Sequence, residues 1–444
     1  MLNILGALVL FTPQQADLGQ DILRILDDPA LSRASVGVFV KELDGAVLFD
    51  RNADKRLIPA SVMKLVTSVL ALETLGPSYR PKTTAWKMGK KAFLVGGADP
   101  GLTVEELLGI RRRLGIARGD TLVFDDGLLG SDRINLGWEY GDMMRGDAAP
   151  VSALTVNYGE AVVVAEKGRV FLEPRNFGIQ ILRRSGQGEL VLHRDFGSWM
   201  LKVKNQLPGT RRLGSVSLPD PALCAAKIVS SSARRGKAPG PPANALVHSP
   251  RDVAEILHET MRNSNNHCAE TLLRLCGAVG GESGSWDDSL ALAEKLLSKA
   301  GISPEAYRLS DGCGLSRFNE ITSRALVHLL EWELLRKHGP ILEASLAKSG
   351  EGTLRNRLLG LDVLAKTGTL SGVCGIVGIA TPAPDMEKLG AGVPMQRKRV
   401  LFAILFNHYA GKAARPRELQ DAIIERICRL PEHSPARGTL TQPR

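Results

Sequence analysis

Three short stretches hold residue types suited to nucleophilic catalysis. The first, "IPASVMKLVTSVLAL" (58–72), sets Ser61 and Lys64 three positions apart ahead of an apolar run. In a helix this spacing puts both side chains on one side, about a turn apart. Val62, Met63, Leu65, Val66, Val69 and Leu70 cover every face of the following turns, and a helix apolar all round is buried. Ser61 is expected at the N-terminus of that helix. There, backbone N–H groups lack helical partners and the dipole favours a developing negative charge. Burial and nearby positive charge lower a lysine's pKa, which would let Lys64 take the serine proton.

The pair alone says little, because S-x-x-K recurs as "SLAK" at Ser345–Lys348, where the preceding "GPILEA" predicts the interior of an amphipathic helix. Two later stretches separate the copies. "RNSNNHCAE" supplies Ser264 and Asn266 at a predicted turn between helices, and "LAKTGTL" supplies Lys366, Thr367 and Gly368, followed by Thr369, at the end of a predicted strand. Neighbouring candidates are weaker. His267 and Cys268 read as helix-packing residues, Asp125-Asp126 as a turn after the strand "TLVF", and Trp138 and Tyr140 as packing within the middle of the chain. "GGADPG" (96–101) lacks the strand–helix setting of a dinucleotide loop.

Stepping outward, "DLGQDILRILD" (17–27) has helical periodicity. Val36–Leu43 and Ala46–Phe49 are strand-like runs joined by the hairpin pair Asp44-Gly45. Between about 79 and 243, short strands, turn dipeptides and basic pairs alternate, with helical patterns at Val104–Leu114 and Pro221–Ala233. "RRGKAPGPPANA" marks the exit from this region. Helical periodicity returns with Ser249-Pro250 as cap and first-turn pair, then at Trp286–Ala300 and Ser323–Lys337. "VLAKTG", "GVCGIVGIA" and "RVLFAILFNHYAG" read as strands, and Pro416–Arg429 as an amphipathic helix. The expected organisation is a split α/β (α+β) domain formed by 17–78 and 244–430. An accessory region at 79–243 interrupts it, and a polar tail at 431–444 follows.

At 444 residues, with 44% hydrophobic and 23% charged residues, the chain fits a globular protein of more than one domain. Its net charge of +10 comes in clusters such as Arg111-Arg112-Arg113, without interleaved aromatics or a recognition-helix pattern, so nucleic acid is not an expected partner. The six cysteines include no CxxC, and no metal site is expected. Residues 2–11, "LNILGALVLF", are too short to span a membrane but match the apolar part of an export signal, with Ala16 near a cleavage position. No Lys or Arg precedes them, and a buried first strand or helix is the alternative reading. Export to the periplasm or cell envelope is the expectation, with peripheral envelope association compatible with the charge.

S-x-x-K, S-x-N and K-T-G in that order resemble the signature of penicillin-binding proteins and related serine enzymes. The chain is similar to the family-S13 D-alanyl-D-alanine carboxypeptidases, the low-molecular-mass class C penicillin-binding proteins. The 203 positions between Ser61 and Ser264 (264 − 61) leave room for the accessory domains that such enzymes carry. "LVGGADPGL", "DPALCAAKI", "DGCGLSR" and "EGTLRNRL" add smaller likenesses, although Cys313 stands where the family often has serine.

The resemblance implies a penicillin-binding-protein/β-lactamase-like transpeptidase fold, an antiparallel sheet flanked by helices. It implies cleavage of peptidoglycan stem peptides at D-Ala-D-Ala, and acylation by β-lactams as covalent inhibitors. D,D-endopeptidase action could accompany this, and no cofactor is required. In those terms Ser61 resembles the nucleophile, Lys64 the general base and Ser264 the proton relay to leaving D-alanine. Asn266 would hold Lys64 and the substrate amide. Lys366 would provide positive potential for the terminal carboxylate, with Thr367 assisting. The N–H groups of Ser61 and Thr369 would form the oxyanion hole. A β-lactamase, or an inert peptidoglycan-binding protein of the same fold, are the competing readings.

Overall fold

The structure, a computed structural model, describes residues 13–382 and 398–430, apart from 168, 174–177, 185–190, 196 and 205–210. A six-stranded antiparallel sheet organises both ends of the chain. Its strands are β1 (Ser35–Glu42), β2 (Val47–Arg51), β3 (Ala347–Lys348), β4 (Val363–Leu370), β5 (Val373–Ala380) and β6 (Val400–Asn407), in the order β3-β4-β5-β6-β1-β2. Strand β1, near the N-terminus, pairs with β6 over eight residues, Ser35 to Glu42 against Asn407 to Val400. The β1–β2 connection is Leu43–Ala46, with Asp44 at φ 52°, as a short hairpin requires.

The apolar sequences of β5 and β6 follow from burial on both faces. Leu401, Ala403 and Leu405 face one core, while Phe402, Ile404 and Phe406 face another. Side chains alternate across a strand, so covering both faces demands an unbroken hydrophobic run rather than an alternating one. On one face lie α1 (Pro13–Leu26) and α10 (Ala414–Cys428), contributing Leu18, Ile22, Ile423 and Ile427. The other face is covered by α2 (Lys64–Thr74), α5 (Val253–Met261), α6 (Asn266–Gly280), α7 (Trp286–Lys299) and α8 (Ser323–Leu334).

Between α2 and α5 the chain builds a second core from residues between Ala85 and Val229. It contains α3 (Val104–Arg113), α4 (Pro221–Val229) and a five-stranded sheet of Thr83–Met88, Lys91–Val95, Thr121–Asp125, Ala233–Arg235 and Leu246–His248. Two three-stranded sheets complete it among the described residues. Leu246–His248 pairs with Thr83–Ala85, so this sheet takes in residues on both sides of 243.

Several local expectations need correction. Helix α5 starts at Val253, not at Ser249-Pro250, because Asp252 and Glu255 form a reciprocal capping box there. Helix α4 stops at Val229, where Ser230 turns extended. The "SLAK" serine ends a short helix, α9 (Gly339–Ser345), and its lysine lies in β3, so that pair never shares a helix face. Trp138 does not pack within the middle region. It is buried in the helical core, edge-on to Trp286 at 6.2 Å, with its indole N–H on Asp311. Tyr140 is exposed.

Candidate active site

The Ser61 turn is tied down before any chemistry is considered. Asn407 of β6 turns its side-chain amide onto the backbone of Ile58, accepting from its N–H at 2.8 Å and donating to its carbonyl at 3.0 Å. Ala60, fully buried, takes φ 50°, a conformation that costs a non-glycine residue energy and persists where the surroundings enforce it. A tight 3₁₀ turn over Ala60–Met63 then precedes α2, so Ser61 sits in that turn and Lys64 begins the α-helix proper. Every residue from Lys64 to Leu72 is buried, whereas Ser61 is half-exposed. The nucleophile candidate faces the cleft and the lysine lies beneath it.

Lys64 Nζ has three acceptors: Ser61 Oγ at 2.8 Å, Asn266 Oδ1 at 2.6 Å and the Cys313 carbonyl at 2.7 Å. Burial holds its pKa below the usual lysine range, and the negative field of Asp311, Glu270 and Asp147 opposes that shift. Asn266 is the first residue of α6, and its amide N–H₂ donates to the Asp147 carbonyl, which belongs to the middle region of the chain.

Ser264 lies in the α5–α6 turn at φ 61°, another strained position. Its Oγ accepts from Lys366 Nζ at 2.9 Å, and the same ammonium reaches the Thr367 carbonyl at 2.6 Å. Lys366 is fully buried, and desolvation, followed by the charge of Lys64, drives its pKa well below the ordinary value. Lys366, Thr367 and Gly368 occupy the middle of β4 rather than its end. A cleft of about 400 Å³ joins Ser61, Ser264, Thr367, Gly368 and Thr369.

Gly368 sets the spacing between β4 and the serine turn. A Cβ there would lie 2.7 Å from the Pro59 carbonyl oxygen and 2.8 Å from the Ser61 nitrogen. Only a residue without a side chain lets the strand come this close. All eight predicted site residues therefore converge: Ser61, Lys64, Ser264, Asn266 and Lys366 through the contacts above, Thr367 to Thr369 along the strand beside them.

Motif spacing alone did not reveal the support beneath Lys64. Glu270, one turn into α6, is buried and accepts from the Gly312 and Cys313 N–H groups at 2.8 and 2.6 Å and from the Trp286 indole at 2.7 Å. Asp311 takes N–H groups of Gly314, Ser316, Asn319 and Trp138. These two carboxylates fold the "DGCGLS" loop so that the Cys313 carbonyl points at Lys64. Glu270, Asp311 and Cys313 bring potential metal-ligand atoms within 4.8 Å of one another, but the carboxylate oxygens are already taken by N–H donors. Cys313 and Cys268 are buried thiols, both with pKa raised by desolvation. His267 is buried as well, beside Gly159, and desolvation lowers its pKa to about 4.

Comparison with known proteins bears on this arrangement. The model of the D-Ala-D-Ala carboxypeptidase 3 (S13) family matches residues 18–176 and 223–429. The D-alanyl-D-alanine carboxypeptidase of Actinomadura sp. (strain R39) is 31% identical over 480 residues, covering 95% of this chain and 86% of that protein. The D-alanyl-D-alanine carboxypeptidase DacB of Haemophilus influenzae is 25% identical over 401 residues, 79% and 83% of the two chains. Among solved structures, penicillin binding protein 4 (dacB) from Haemophilus influenzae superimposes with a TM-score of 0.77 at 20% identity, covering 92% of this chain and 99% of that one. The same protein complexed with a β-lactam gives 0.68. The fold is thus that of penicillin-binding proteins, with an extra strand-rich insertion. With the ordered motifs converged on one cleft and the family model spanning most of its length, the chain belongs to the D-Ala-D-Ala carboxypeptidase 3 (S13) family and is a serine-type D-Ala-D-Ala carboxypeptidase.

Proposed function

We propose that Ser61 is the acylated nucleophile and Lys64 its general base. The observation that carries this is the 2.8 Å contact between Lys64 Nζ and the half-exposed Ser61 Oγ, made by a lysine with no solvent exposure. In this reading the Lys64 amine takes the Ser61 proton while Oγ attacks the penultimate D-alanine carbonyl. The N–H groups of Ser61 and Thr369 receive the oxyanion. As the C–N bond breaks, Ser264 passes a proton to the departing amine and regains one from Lys366, 2.9 Å away. Water then attacks the ester, giving its proton through Ser264 to Lys366, while Lys64 returns its proton to Ser61 Oγ as the acyl bond breaks, and Asn266 keeps Lys64 aligned throughout.

Peptidoglycan stem peptides are the substrate this reading implies, and β-lactams the covalent inhibitors, in keeping with the β-lactam complex of the Haemophilus influenzae protein. Residues 79–243 act as an accessory unit inserted into the peptidase domain formed by 17–78 and 244–430, its sheet borrowing Leu246–His248 from the second of these segments, and the Asp147 carbonyl bracing Asn266 supports its role in shaping the cleft. The site of action is the cell envelope. Among the described residues no helix is long and apolar enough to cross a membrane.

Intact-mass measurement after exposure to a penicillin tests the assignment. A persistent adduct on Ser61, absent from Ser61→Ala, is expected, together with D-alanine release from a D-Ala-D-Ala peptide. Rapid turnover of the adduct would instead indicate a β-lactamase. No adduct would remove Ser61 as nucleophile and leave the inert-binding reading.

A further inference from the structure

Positive charge is not spread evenly over the chain. Residues 80–126 and 220–248, which hold the five-stranded sheet with α3 and α4, contain 13 Lys and Arg against 7 Asp and Glu, so +6 of the net +10 lies in this lobe. The topology then sorts that charge. Strands Lys91–Val95 and Thr121–Asp125 are parallel and start side by side, Lys91 opposite Thr121, with α3 running back between them. The hairpin turn at Met88–Lys91, the last turn of α3 and the loop 114–120 therefore share one end of the sheet. Thr83 and His248, where the chain enters and leaves the lobe, pair with each other at the opposite end, about 16 Å away at the usual strand rise. Six of the seven acids sit at that opposite end: Glu105 and Glu106 open α3, Asp125 and Asp126 close a strand, and Arg251 and Arg235 hold Asp99 and Asp220.

At the distal end the seventh acid, Asp120, is already taken: Lys87 Nζ donates to it at 2.6 Å and the Ala117 N–H at 2.7 Å. Lys90, Lys91, Arg112, Arg113 and Arg118 are exposed there and have no acidic partner among the described residues. Met88, 62% exposed, stands at the same hairpin turn. Like charges gathered in this way repel, so the fold gains no stability from collecting them. A hairpin turn, a helix end and a loop also make a convex tip, which meets a flat surface more readily than it encloses a chain. We propose that this tip docks on an anionic phospholipid bilayer, its five free cations over the headgroups and the Met88 side chain between them. The tip lies at the far end of the lobe from the chain crossings into the peptidase core, so docking keeps that core off the bilayer. The proposal rests on the envelope reading above, which a cytosolic location in cell fractionation would overturn while the vesicle result below stood.

The test is co-sedimentation of the full chain with vesicles of phosphatidylcholine alone and of phosphatidylcholine mixed with phosphatidylglycerol, at low and high salt. Binding is expected to the mixed vesicles only and to weaken as salt rises. Each basic residue near such a surface is worth about fivefold in affinity, so Arg112→Gln with Arg113→Gln should weaken binding about 10- to 30-fold. The exposed pair Lys295→Gln with Lys337→Gln lowers the net charge equally but lies on α7 and just beyond α8, and should stay within about twofold of wild type. Met88→Ser should weaken vesicle binding by about three- to tenfold, as loss of a partly buried apolar contact does. D-alanine release from a soluble D-Ala-D-Ala peptide checks that every variant remains folded. Equal losses in the two charge pairs would trace binding to overall charge and overturn the proposal. Binding to phosphatidylcholine alone that survives high salt would place the contact elsewhere and overturn it too. Unchanged binding in Met88→Ser would remove the bilayer as partner in favour of a soluble anionic polymer. An enzyme that releases D-alanine yet ignores both vesicles sinks the proposal alone, whereas one that binds the mixed vesicles without releasing D-alanine supports the tip and overturns the peptidase reading.

Discussion

Replacing Gly368 by alanine should damage acylation more than stability, because of where the added methyl would go. The new Cβ would stand 2.7 Å from the Pro59 carbonyl oxygen, 2.8 Å from the Ser61 nitrogen and 2.9 Å from the Val62 nitrogen. All three are backbone atoms of one turn, so no side-chain rotation relieves the contact. Ordinary van der Waals contact begins at 3.4 Å, and β4 and the serine turn must part by about 0.7 Å, the gap between 2.7 and 3.4 Å. The turn resists, since Asn407 clamps Ile58 and Ala60 is held at positive φ. The strand resists too, being paired with β5 over all eight residues, with Gly368 opposite Gly375. Overpacking of this kind costs about 1–3 kcal/mol of stability. The displacement separates the Thr369 N–H from Ser61, and a misplacement approaching 1 Å costs on the order of 100-fold in rate. Penicillin acylation should therefore slow by about 10- to 100-fold, followed by intact mass against time. Urea denaturation should show a loss of only about 1–3 kcal/mol. Gly240→Ala, where the added Cβ meets nothing within 4 Å, controls for glycine replacement as such. Wild-type acylation rates in Gly368→Ala would refute the argument that close approach of β4 sets the oxyanion geometry.

Three further outcomes follow from the buried groups around the site. Burial, and then Asp311, push the Glu270 carboxyl up to about 7 from 4.5, so the folded state binds its proton more tightly than the unfolded chain does. That contribution to stability is greatest at low pH and is lost as pH rises from about 4.5 to about 7; urea midpoints across this range should slope less in Glu270→Gln, and parallel curves would count against it. His267 has the opposite sense: burial lowers its pKa to about 4, so stability is lost as pH falls from about 6.5 towards 4, and His267→Leu should blunt that loss in the same titration. Trp138→Phe removes the indole donor 3.0 Å from Asp311 and should cost about 1–3 kcal/mol in urea unfolding, whereas a neutral result would deny that this buried contact matters.

Much of the site was legible in the residues because local sequence dictates local geometry there. The apolar turns after Ser61 could only be a buried helix, and a buried helix beginning at a polar pair exposes its mouth. Asn407 and Glu270 were not legible. Asn407 ends an apolar strand and Glu270 lies in a helix of mixed polarity, and each has its partner far away in sequence: Ile58 for one, Gly312 and Cys313 for the other. Trp138 was misread for the same reason, since its position between inserted strands says nothing about a core 148 positions further on at Trp286 (286 − 138).

What the sequence determined by itself was the set of chemical groups and the elements that carry them, through periodicity, hairpin residues and the order of three motifs. What tertiary structure alone decided was which groups meet. The eight-residue pairing of β1 with β6 closes a sheet from opposite ends of the chain. That closure sets β4 against the serine turn and buries two lysines where solvent cannot hold their charge. Burial and charge depend on what lies across space, and residues hundreds of positions apart settle that only when the chain has folded.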